Sequence, residues 1–558
     1  MATTDPPPPS NHPRYNMPFI WLICLVAAMG GLLFGYDWVV IGGAKPFYET
    51  FFGIQDNSVL QGWAMSSALI GCLLGAVISG AAADYLGRKR LLITAAALFT
   101  ISAVGTALAW DFYSFNVFRV IGGAGIGLAS ALSPMYIAEV SPGAIRGRLV
   151  SVNQLTIVIG ILAAQIVNWL IAEPVPTIEQ LRLLNSSEAQ IEAYYSDVEG
   201  FDLDQAKRDA AEVVDEQLYD KVIAEHPGLS LVRVDPETQT EQRKEALAKE
   251  DREVMSAYIF PSWNGVVGWR WMFGAETVPA AAFFLLMFFV PESPRWLMKY
   301  GRDQQAEEVL RRIGGAEHAR AEVADIRQTL ATEEIAQVRF GDLLEPRLRT
   351  IVLMGVILAV FQQWCGINVI FNYAHDIFRE AGYEVGDNMF NIVVTGITNL
   401  VFTFVALFTV DRFGRRPLML IGSAGLAMIY AMLGAGYYFQ IRGPVMLVLV
   451  VAAIACYAMS LAPVVWVVIS EIFPNRIRGA AMAVAVFALW TGCTTLTFTF
   501  PILNEGFHHW GIEWAGLGAS GTFWLYGGIC VAGFLYILLN LPETKGKSLE
   551  QIERELVD

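Results

Sequence analysis

Long apolar segments alternate with short polar segments along most of the chain. Twelve of the apolar segments have about 20 residues or more and few charges, which is the length that an α-helix needs to cross the hydrocarbon core of a bilayer. The pattern therefore predicts an all-α membrane protein with twelve transmembrane helices. The predicted spans are 18–43, 61–83, 91–110, 114–138, 150–172, 269–290, 350–378, 389–410, 418–438, 445–470, 479–503 and 519–541.

The composition agrees with this interpretation. Of the 558 residues, 55% are hydrophobic and 16% are charged, whereas soluble domains average about 45–50% and about 25%. This balance excludes a soluble enzyme and a secreted disulfide scaffold. The net charge of −15 disfavours a nucleic-acid partner, because phosphate binding requires clustered lysines and arginines.

The cysteines give no sign of a metal or disulfide framework. All six lie inside predicted spans, and no two have the spacing of metal ligands: Cys24, Cys72, Cys365, Cys456, Cys493 and Cys530. We interpret them as small buried hydrophobic residues and expect neither a metal nor a cofactor. No basic stretch precedes the first span, which is therefore expected to be a retained helix rather than a cleaved signal.

Charges in the short loops predict the orientation. The even-numbered connections carry Arg88, Lys89, Arg90, Arg146, Arg148, Arg412, Arg415, Arg416, Arg476 and Arg478. The short odd-numbered connections carry only Lys45, Arg379 and Arg442. Because positive residues stay on the cytoplasmic side, both termini are expected inside the cell, in the plasma (inner) membrane.

Three motifs recur in the same order in both halves of the chain. The pairs are DYLGRKR (84–90) with DRFGRRP (411–417), EVSPGAIRG (139–147) with EIFPNRIRG (471–479), and PESPR (291–295) with PETKG (542–546). Their order indicates a duplication into two six-helix repeats rather than chance similarity of charged loops. The third pair is 81 residues closer together than the second, so the first half carries about 81 extra residues. They lie in the charged stretch 173–265.

The chain resembles the sugar porter family of the major facilitator superfamily. The resemblance rests on these motifs together with GGLLFGYD (30–37), RVIGGAGIGLASALSPMYIAEVSPGAIRG (119–147), PESPRWL (291–297) and QQWCGINVI (362–370). It covers nearly the whole chain except 173–265 and is strongest to bacterial proton-coupled xylose and hexose symporters. It implies a monomeric transporter, not an enzyme, that moves a monosaccharide with protons by alternating access. A passive facilitator and a non-transporting sugar sensor remain alternatives.

This resemblance divides the chain into six parts. They are the first five helices (1–172), an acidic outer insertion (173–268), helix six (269–290), a cytoplasmic helical linker that braces the two halves (291–349), the second six-helix bundle (350–541) and a cytoplasmic tail (542–558). The stretch 173–265 carries 21 acidic and 9 basic residues, a net charge of −12. We expect the chain to tolerate removal of the insertion, because surface loops accept such changes.

Three ionisable residues fall inside spans of the first half, where each is costly and therefore a functional hypothesis. Asp37, Arg119 and Glu276 all lie roughly 8–11 Å below the outer boundary at 1.5 Å per residue, so they can pair. An aspartate beside an arginine can bind a proton on one side and release it on the other. A static ion pair between two helices is the alternative.

Amide and aromatic side chains suit a sugar, which offers hydroxyls and no charge. The candidates, which match sugar-contacting positions of the family by motif, are Gln154, Gln362, Gln363, Asn368, Asn399, Trp466 and Trp490. Polar residues that only join helices are the alternative. The family commonly has Tyr-Tyr at 372–373 and amides at 489 and 493, and its xylose-symporter type has glutamine at 161. This chain has Asn372 and Tyr373, Leu489, Cys493 and Ile161 at those positions, so the sugar stays open.

The resemblance also suggests gates on both sides. Asn372 and Tyr373 would belong to the outer gate. The inner gate would be a charge network of Asp84, Arg88, Glu139, Arg146, Arg148, Asp411, Arg415, Glu471 and Arg478. The alternative is that these charges only fix the orientation in the membrane.

Overall fold

The computed structural model describes residues 15–196, 201–231, 241–333, 343, 345–383, 385–474, 477–509 and 512–545. Within these residues, eleven helical segments are long and apolar enough to cross a membrane. They correspond to eleven of the twelve predicted spans, and the all-α class is confirmed. The remaining predicted span, the sixth, is an interrupted helix.

The first half begins with five long helices: α1 (Met17–Phe52), α2 (Ser58–Leu86), α3 (Arg88–Ala107), α4 (Phe112–Val140) and α5 (Arg146–Ile171). Its sixth crossing consists of a short π-helix (Asn264–Gly268), α11 (Trp269–Gly274) and α12 (Thr277–Met287). Ala275 and Glu276 between the last two keep right-handed helical dihedral angles. The crossing is thus one rod with irregular hydrogen bonding at its centre.

The second half repeats this plan with different interruptions. Its helices are α15 (Pro346–Trp364), α16 (Ile367–Asn372), α17 (Ala374–Glu380), α18 (Val385–Phe413), α19 (Arg415–Tyr438), α20 (Pro444–Met459), α21 (Leu461–Ile472), α22 (Arg478–Glu505) and α23 (Gly518–Asn540). The chain breaks between α15 and α16 at Gly366, whose φ is +86°. A side chain there would also lie 2.9 Å from the ring of Tyr526. Glycine is therefore required both for the backbone conformation and for lack of space.

The duplicated motifs form the same local structure in both halves. Gly87 and Gly414 precede α3 and α19 with φ of +92° each. Glu292 accepts hydrogen bonds from the backbone N–H groups of Arg88 and Lys89, both at 3.0 Å. These contacts satisfy helix N-terminal donors that would otherwise lack partners.

In the second half, Glu543 accepts in the same way from the N–H groups of Arg415 and Arg416, at 3.0 and 3.1 Å. We call the two arrangements the glutamate clamps. Their agreement supports the duplication that the motifs predicted. Glu292 and Glu543 belong to quoted motifs, but the role of their carboxylates was not predicted from the motifs.

The insertion is helical and packs on the first half. It contains α6 (Ile178–Leu184), α7 (Glu188–Tyr194), α8 (Leu203–Val213), α9 (Glu216–Glu225) and α10 (Glu241–Ile259). Leu183, Ile191, Ala210 and Leu231 form a small hydrophobic cluster of their own. Val254 and Tyr258 of α10 are instead buried in the main core, and Gln55 after α1 donates to Ser256 at 3.0 Å.

The linker and a hairpin supply four further elements, two helices and two strands. The linker contains α13 (Pro294–Lys299) and α14 (Asp303–Glu333), with a bend at Gly315 where φ is +82°. Two short strands, β1 (Phe507–His509) and β2 (Ile512–Trp514), pair antiparallel after α22. The sequence pattern did not predict this hairpin. It is the one part of the described chain that departs from an all-helical structure.

The halves meet along two pairs of crossing helices. Within the first half, α1 packs on α5 and α2 on α4, and in the second half α19 packs on α23. Between the halves, α2 packs on α22 and α5 on α18. A side chain at Gly62 of α2 would lie only 2.3 Å from the carbonyl oxygen of Phe498 in α22. Backbones of opposite halves are therefore in close contact.

Candidate functional site

Asp37 and Arg119 form a buried ion pair between α1 and α4, as their predicted depth suggested. Nη1 of Arg119 donates to Oδ1 of Asp37, and its Nη1 and Nη2 lie 3.4 and 3.3 Å from the Asp37 carbonyl oxygen. Each side chain is 2% exposed. Gly122 leaves room for the carboxylate, since a Cβ there would lie 2.9 Å from Oδ2 of Asp37. The guanidinium is thus fixed on one helix and the carboxylate on another.

Glu276 joins this pair from the sixth crossing. Its side chain is buried, and Oε1 has no hydrogen-bond partner among the described residues. Phe273, one turn earlier, places its ring 5.5 Å from Cζ of Arg119, and Glu276 interacts electrostatically with both Asp37 and Arg119. Two carboxylates and one guanidinium are therefore buried near one another, and Asp37 is in hydrogen-bond contact with Arg119. A single proton makes the trio neutral, and a buried unpaired charge costs several kcal/mol.

The amides of the seventh crossing form a chain of hydrogen bonds at the break after α15. Asn368 donates to Oε1 of Gln363, and Gln363 donates to Oε1 of Gln362 at 3.4 Å. Gln362 donates in turn to the carbonyl oxygens of Leu461 and Ala462, at 3.3 and 3.1 Å. These carbonyls follow Ser460, where the α20–α21 rod bends. Two helix interruptions thus meet at the amide chain, which can donate to and accept from hydroxyls.

The remaining sugar candidates differ in their surroundings. Trp490 is buried, and its ring centroid lies 6.0 Å from that of Phe34 and 5.8 Å from that of Trp38, both on α1. Asn399 is buried in α18. Trp466 is 39% exposed, and Gln154 is exposed near the start of α5. The structure therefore brings Gln362, Gln363 and Asn368 together and leaves Gln154 outside that group.

A charge cluster that the sequence analysis missed closes the face that carries the insertion. Nζ of Lys45 on α1 lies 2.8 Å from Oδ2 of Asp376 on α17 and 3.0 Å from Oε2 of Glu49. The side chains are 3% exposed for Lys45 and 6% for each carboxylate. Because α1 and α17 belong to different halves, the Lys45–Asp376 pair is a lock between them. Tyr373 lies against it, with its ring centroid 5.8 Å from Nζ.

Backbone contacts reinforce this closure. Oγ of Ser58, at the start of α2, donates to the carbonyl oxygen of Gly506 at 2.9 Å. Tyr373 donates to the carbonyl oxygen of Thr497 at 2.7 Å. A Cβ on Gly42 would lie 3.0 Å from the carbonyl oxygen of Asn372, so α1 and α16 touch. Asn372 and Tyr373, the predicted outer-gate residues, thus both lie at the closed interface.

The charges on the opposite face pair within each half. Arg88 lies 2.9 Å from Glu139 and 3.6 Å from Asp84, and Arg415 lies 3.2 Å from Glu471. These pairs join neighbouring helices of one half in this conformation. Their role as an inner gate therefore stays a prediction. Arg146 and Arg148 are exposed at the start of α5, while the side chains of Asp411 and Arg478 lie outside the described part of the chain.

One feature of the sequence indicates a buried Lys45, namely its spacing to Glu49, but none indicates Asp376. Lys45 follows directly on an apolar segment and precedes Glu49 by one helical turn, a spacing that places both on one helix face. The predicted first span ends at residue 43, which places Lys45 in a loop. The partner Asp376 is distant in sequence, and no pattern connects it to Lys45.

Comparisons with known proteins agree with the fold and with these motifs. The model of the "Sugar (and other) transporter" family matches residues 23–186 and 254–556. The D-xylose-proton symporter of Escherichia coli K12 is 36% identical, with 97% of this chain and 96% of the relative covered. The arabinose-proton symporter of Bacillus subtilis is 32% identical, with the same coverage. The E. coli xylose transporter in a partially occluded, inward-open conformation matches with a TM-score of 0.69, 33% identity, and coverage of 95% of this chain and all of that one.

Proposed function

The chain belongs to the sugar transporter family, and we propose that it couples the uptake of a monosaccharide to the entry of protons. It is a multi-pass membrane transporter and not an enzyme. Two similar proteins are named as proton symporters of the pentoses xylose and arabinose. A hexose or pentose is therefore the proposed substrate of this chain.

The observation that carries the proposal is the buried trio of Asp37, Arg119 and Glu276. Burial of an ionisable group in a membrane helix is costly, and such groups mark proton pathways in transporters. Arginine keeps its proton, so only the carboxylates can exchange one. With two carboxylates and one guanidinium, the trio returns to neutrality by binding one proton.

The Lys45–Asp376 lock connects this trio to the gate. Lys45 follows Asp37 by eight residues on α1, about 12 Å along a continuous helix. When the lock opens, α1 separates from α17, and water reaches Asp37 from the side of the insertion. Asp37 then takes a proton from that side. Closure of the lock returns the carboxylate to the buried site, and the proton is then released to the opposite side.

The amide chain supplies the sugar site. Gln363 and Asn368 lie where the helix of the seventh crossing is interrupted, and they belong to the second half, opposite α1. The ring of Trp490 stands at the contact between α22 and α1 and offers an apolar face. Sugar between these groups would contact both halves, so its binding favours the rearrangement that carries it across.

The orientation follows from the loop charges. We propose that the insertion and the Lys45–Asp376 lock face the outside, that the arginine-rich loops and both termini face the cytoplasm, and that the chain works as a monomer in the inner membrane. The structure then corresponds to an outward-closed conformation.

The test is transport into proteoliposomes with labelled D-xylose, L-arabinose and D-glucose and an imposed pH gradient. The wild type should accumulate at least one of them only when the gradient is present. Asp37→Asn should lose accumulation but keep sugar exchange, because only proton exchange is removed. Asp56→Asn, an exposed carboxylate just after α1, is the matched control and should behave as the wild type. Gradient-independent equilibration by the wild type would instead identify a facilitator.

A further inference from the structure

Four buried amide side chains from both halves have polar atoms without partners. Gln165 and Asn168 on α5, Asn372 on α16 and Asn391 on α18 are between 1% and 6% exposed. In the described part of the chain, Oε1 of Gln165, Oδ1 of Asn168, Oδ1 of Asn372 and Nδ2 of Asn391 have no hydrogen-bond partner. We call these four residues the outer amide patch. Such groups are normally satisfied, so each of these exceptions requires an explanation.

Two contacts place α5 and α18 face to face at this patch. Nε2 of Gln165 lies 3.4 Å from Oγ1 of Thr395, across the boundary between the halves. One turn further out, the rings of Trp169 and Phe390 meet edge to face, with 6.1 Å between centroids. Asn168 and Asn391 are the chain neighbours of those two aromatic residues. Gln165 therefore lies in a closed seam between α5 and α18, and Asn168 and Asn391 lie at the level of the aromatic contact along it.

Helix α1 connects Asn372 to Asn168 and thus to the same seam. Nδ2 of Asn168 donates to the carbonyl oxygen of Val40 at 2.9 Å. A Cβ on Gly42 would lie 3.0 Å from the carbonyl oxygen of Asn372. Asn168 and Asn372 thus contact the same turn of α1. This turn lies between Asp37 and the Lys45–Asp376 lock.

The patch lies on the outer side of the amide chain. Asn372 follows Asn368 by four residues on α16, which is about 6 Å along a helix. Opening of the lock would separate α1 from α17 and α5 from α18, and the four amides would then face the entrance. Amides both donate and accept and carry no charge, so the ligand they fit is a neutral polyol.

We propose that the outer amide patch is a second monosaccharide subsite, which receives the sugar from outside before it reaches Gln363 and Asn368. The proposal rests on the proposed function only in the identity of the ligand as a sugar. It does not depend on proton coupling. In the closed conformation the patch is sealed, so these amides would contact sugar only when the lock is open.

The test compares sugar entry from each face in right-side-out and inside-out membrane vesicles, by counterflow of D-xylose and D-glucose without a pH gradient. The variants are Asn391→Leu and Gln165→Met, which keep the side-chain size and remove the amide. Asn391→Ser is a milder third variant that puts one hydroxyl in place of the amide. The control is Asn116→Leu, because Asn116 is also a buried amide with an unpartnered oxygen but lies on α4 inside the first half.

The variants should raise the outer KM by about three- to tenfold, the scale of one or two lost hydrogen bonds. The inner KM should not change. Because a carrier cannot shift the equilibrium of a neutral sugar, a higher outer KM at an unchanged maximal entry rate requires a slower maximal exit toward the outside. Asn391→Ser should lie between the wild type and Asn391→Leu, and Asn116→Leu should leave both KM values unchanged.

Equal changes of KM on both faces, or an outer KM unchanged in Asn391→Leu and Asn391→Ser, would overturn the subsite. Counterflow in the wild type without gradient-driven accumulation would overturn proton coupling alone, and the KM comparison would still decide on the subsite. Absence of counterflow for every neutral sugar tried would overturn both proposals.

Discussion

The Lys45–Asp376 lock makes the most direct prediction about the transport cycle. Asp376→Asn removes the carboxylate of the other half that forms an ion pair with Lys45 and keeps the size of the side chain. Lys45 retains Glu49 at 3.0 Å on its own helix. We therefore expect the outward-closed conformation to lose stability relative to the outward-open one, without loss of folding.

The size of the effect follows from the geometry. At 2.8 Å two unit charges attract by about 6 kcal/mol with an effective dielectric constant near 20. Most of this is offset, because the opened lock hydrates both groups and Glu49 still neutralises Lys45. A net change of about 1.4–2.8 kcal/mol remains, which corresponds to a ten- to hundredfold larger ratio of open to closed molecules.

The assay is the distance between spin labels on the outer face, measured by pulsed electron paramagnetic resonance. Labels at Asp56 and Arg442, both exposed and in opposite halves, report opening once the six native cysteines, five of them buried, are replaced. Glu49→Gln is the matched control. Glu49 is at a similar distance from Lys45 but on the same helix. Loss of its charge therefore affects both conformations and should shift the ratio of open to closed molecules less.

A double-mutant cycle with Lys45→Met isolates the pair. If Asp376→Asn shifts the distance distribution equally in the presence and absence of Lys45, the two residues are not coupled. If Glu49→Gln opens the outer face as much as Asp376→Asn does, the lock is not the contact between the halves. Either result would refute the reasoning.

Four other variants test the sugar site, the insertion and the clamps. Gln363→Ala and Asn368→Ala should each weaken sugar binding by about 1–3 kcal/mol, the cost of an unsatisfied buried group, as measured by calorimetry; unchanged affinity would remove them from the site. Deletion of 178–249, which keeps the end of α10 on α1, should leave transport intact with a lower melting temperature, and a folded but inactive variant would make the insertion part of the mechanism. Glu292→Gln should lower thermal stability by about 1–2 kcal/mol through a weakened clamp, because hydrogen bonds to charged acceptors are the stronger ones; an unchanged melting temperature would show that the clamp contributes little.

The sequence predicted the crossings well because a bilayer imposes a length on every apolar helix. The predicted end of the first span was wrong, because α1 continues to Phe52 and does not end at residue 43. The prediction stopped at the charge of Lys45, whereas the folded protein neutralises that charge with Glu49 and Asp376. A partner supplied by the other half of the molecule has no signature in the local pattern.

In the candidate site, too, some contacts could be predicted from sequence position and others could not. Asp37 and Arg119 could be paired by counting residues from the membrane boundary, since depth along a helix depends only on sequence position. The order of the amide chain from Asn368 to Gln362 could not be predicted, because it depends on the bend at Ser460, which exposes the carbonyls of α21. Gln165 was overlooked for the same reason, as its partner Thr395 lies in the other half.

The glutamate clamps have a consequence for how the protein is made. Glu292 binds the start of α3 and Glu543 binds the start of α19, so each clamp is built only from residues of its own half. During synthesis, the first clamp can close as soon as residue 292 has left the ribosome, before any helix of the second half exists. Each half then enters the membrane as a finished unit, and the seam between them is the last surface to form. Two separately translated halves, produced together in one cell, should therefore each close their own clamp before they meet at the seam.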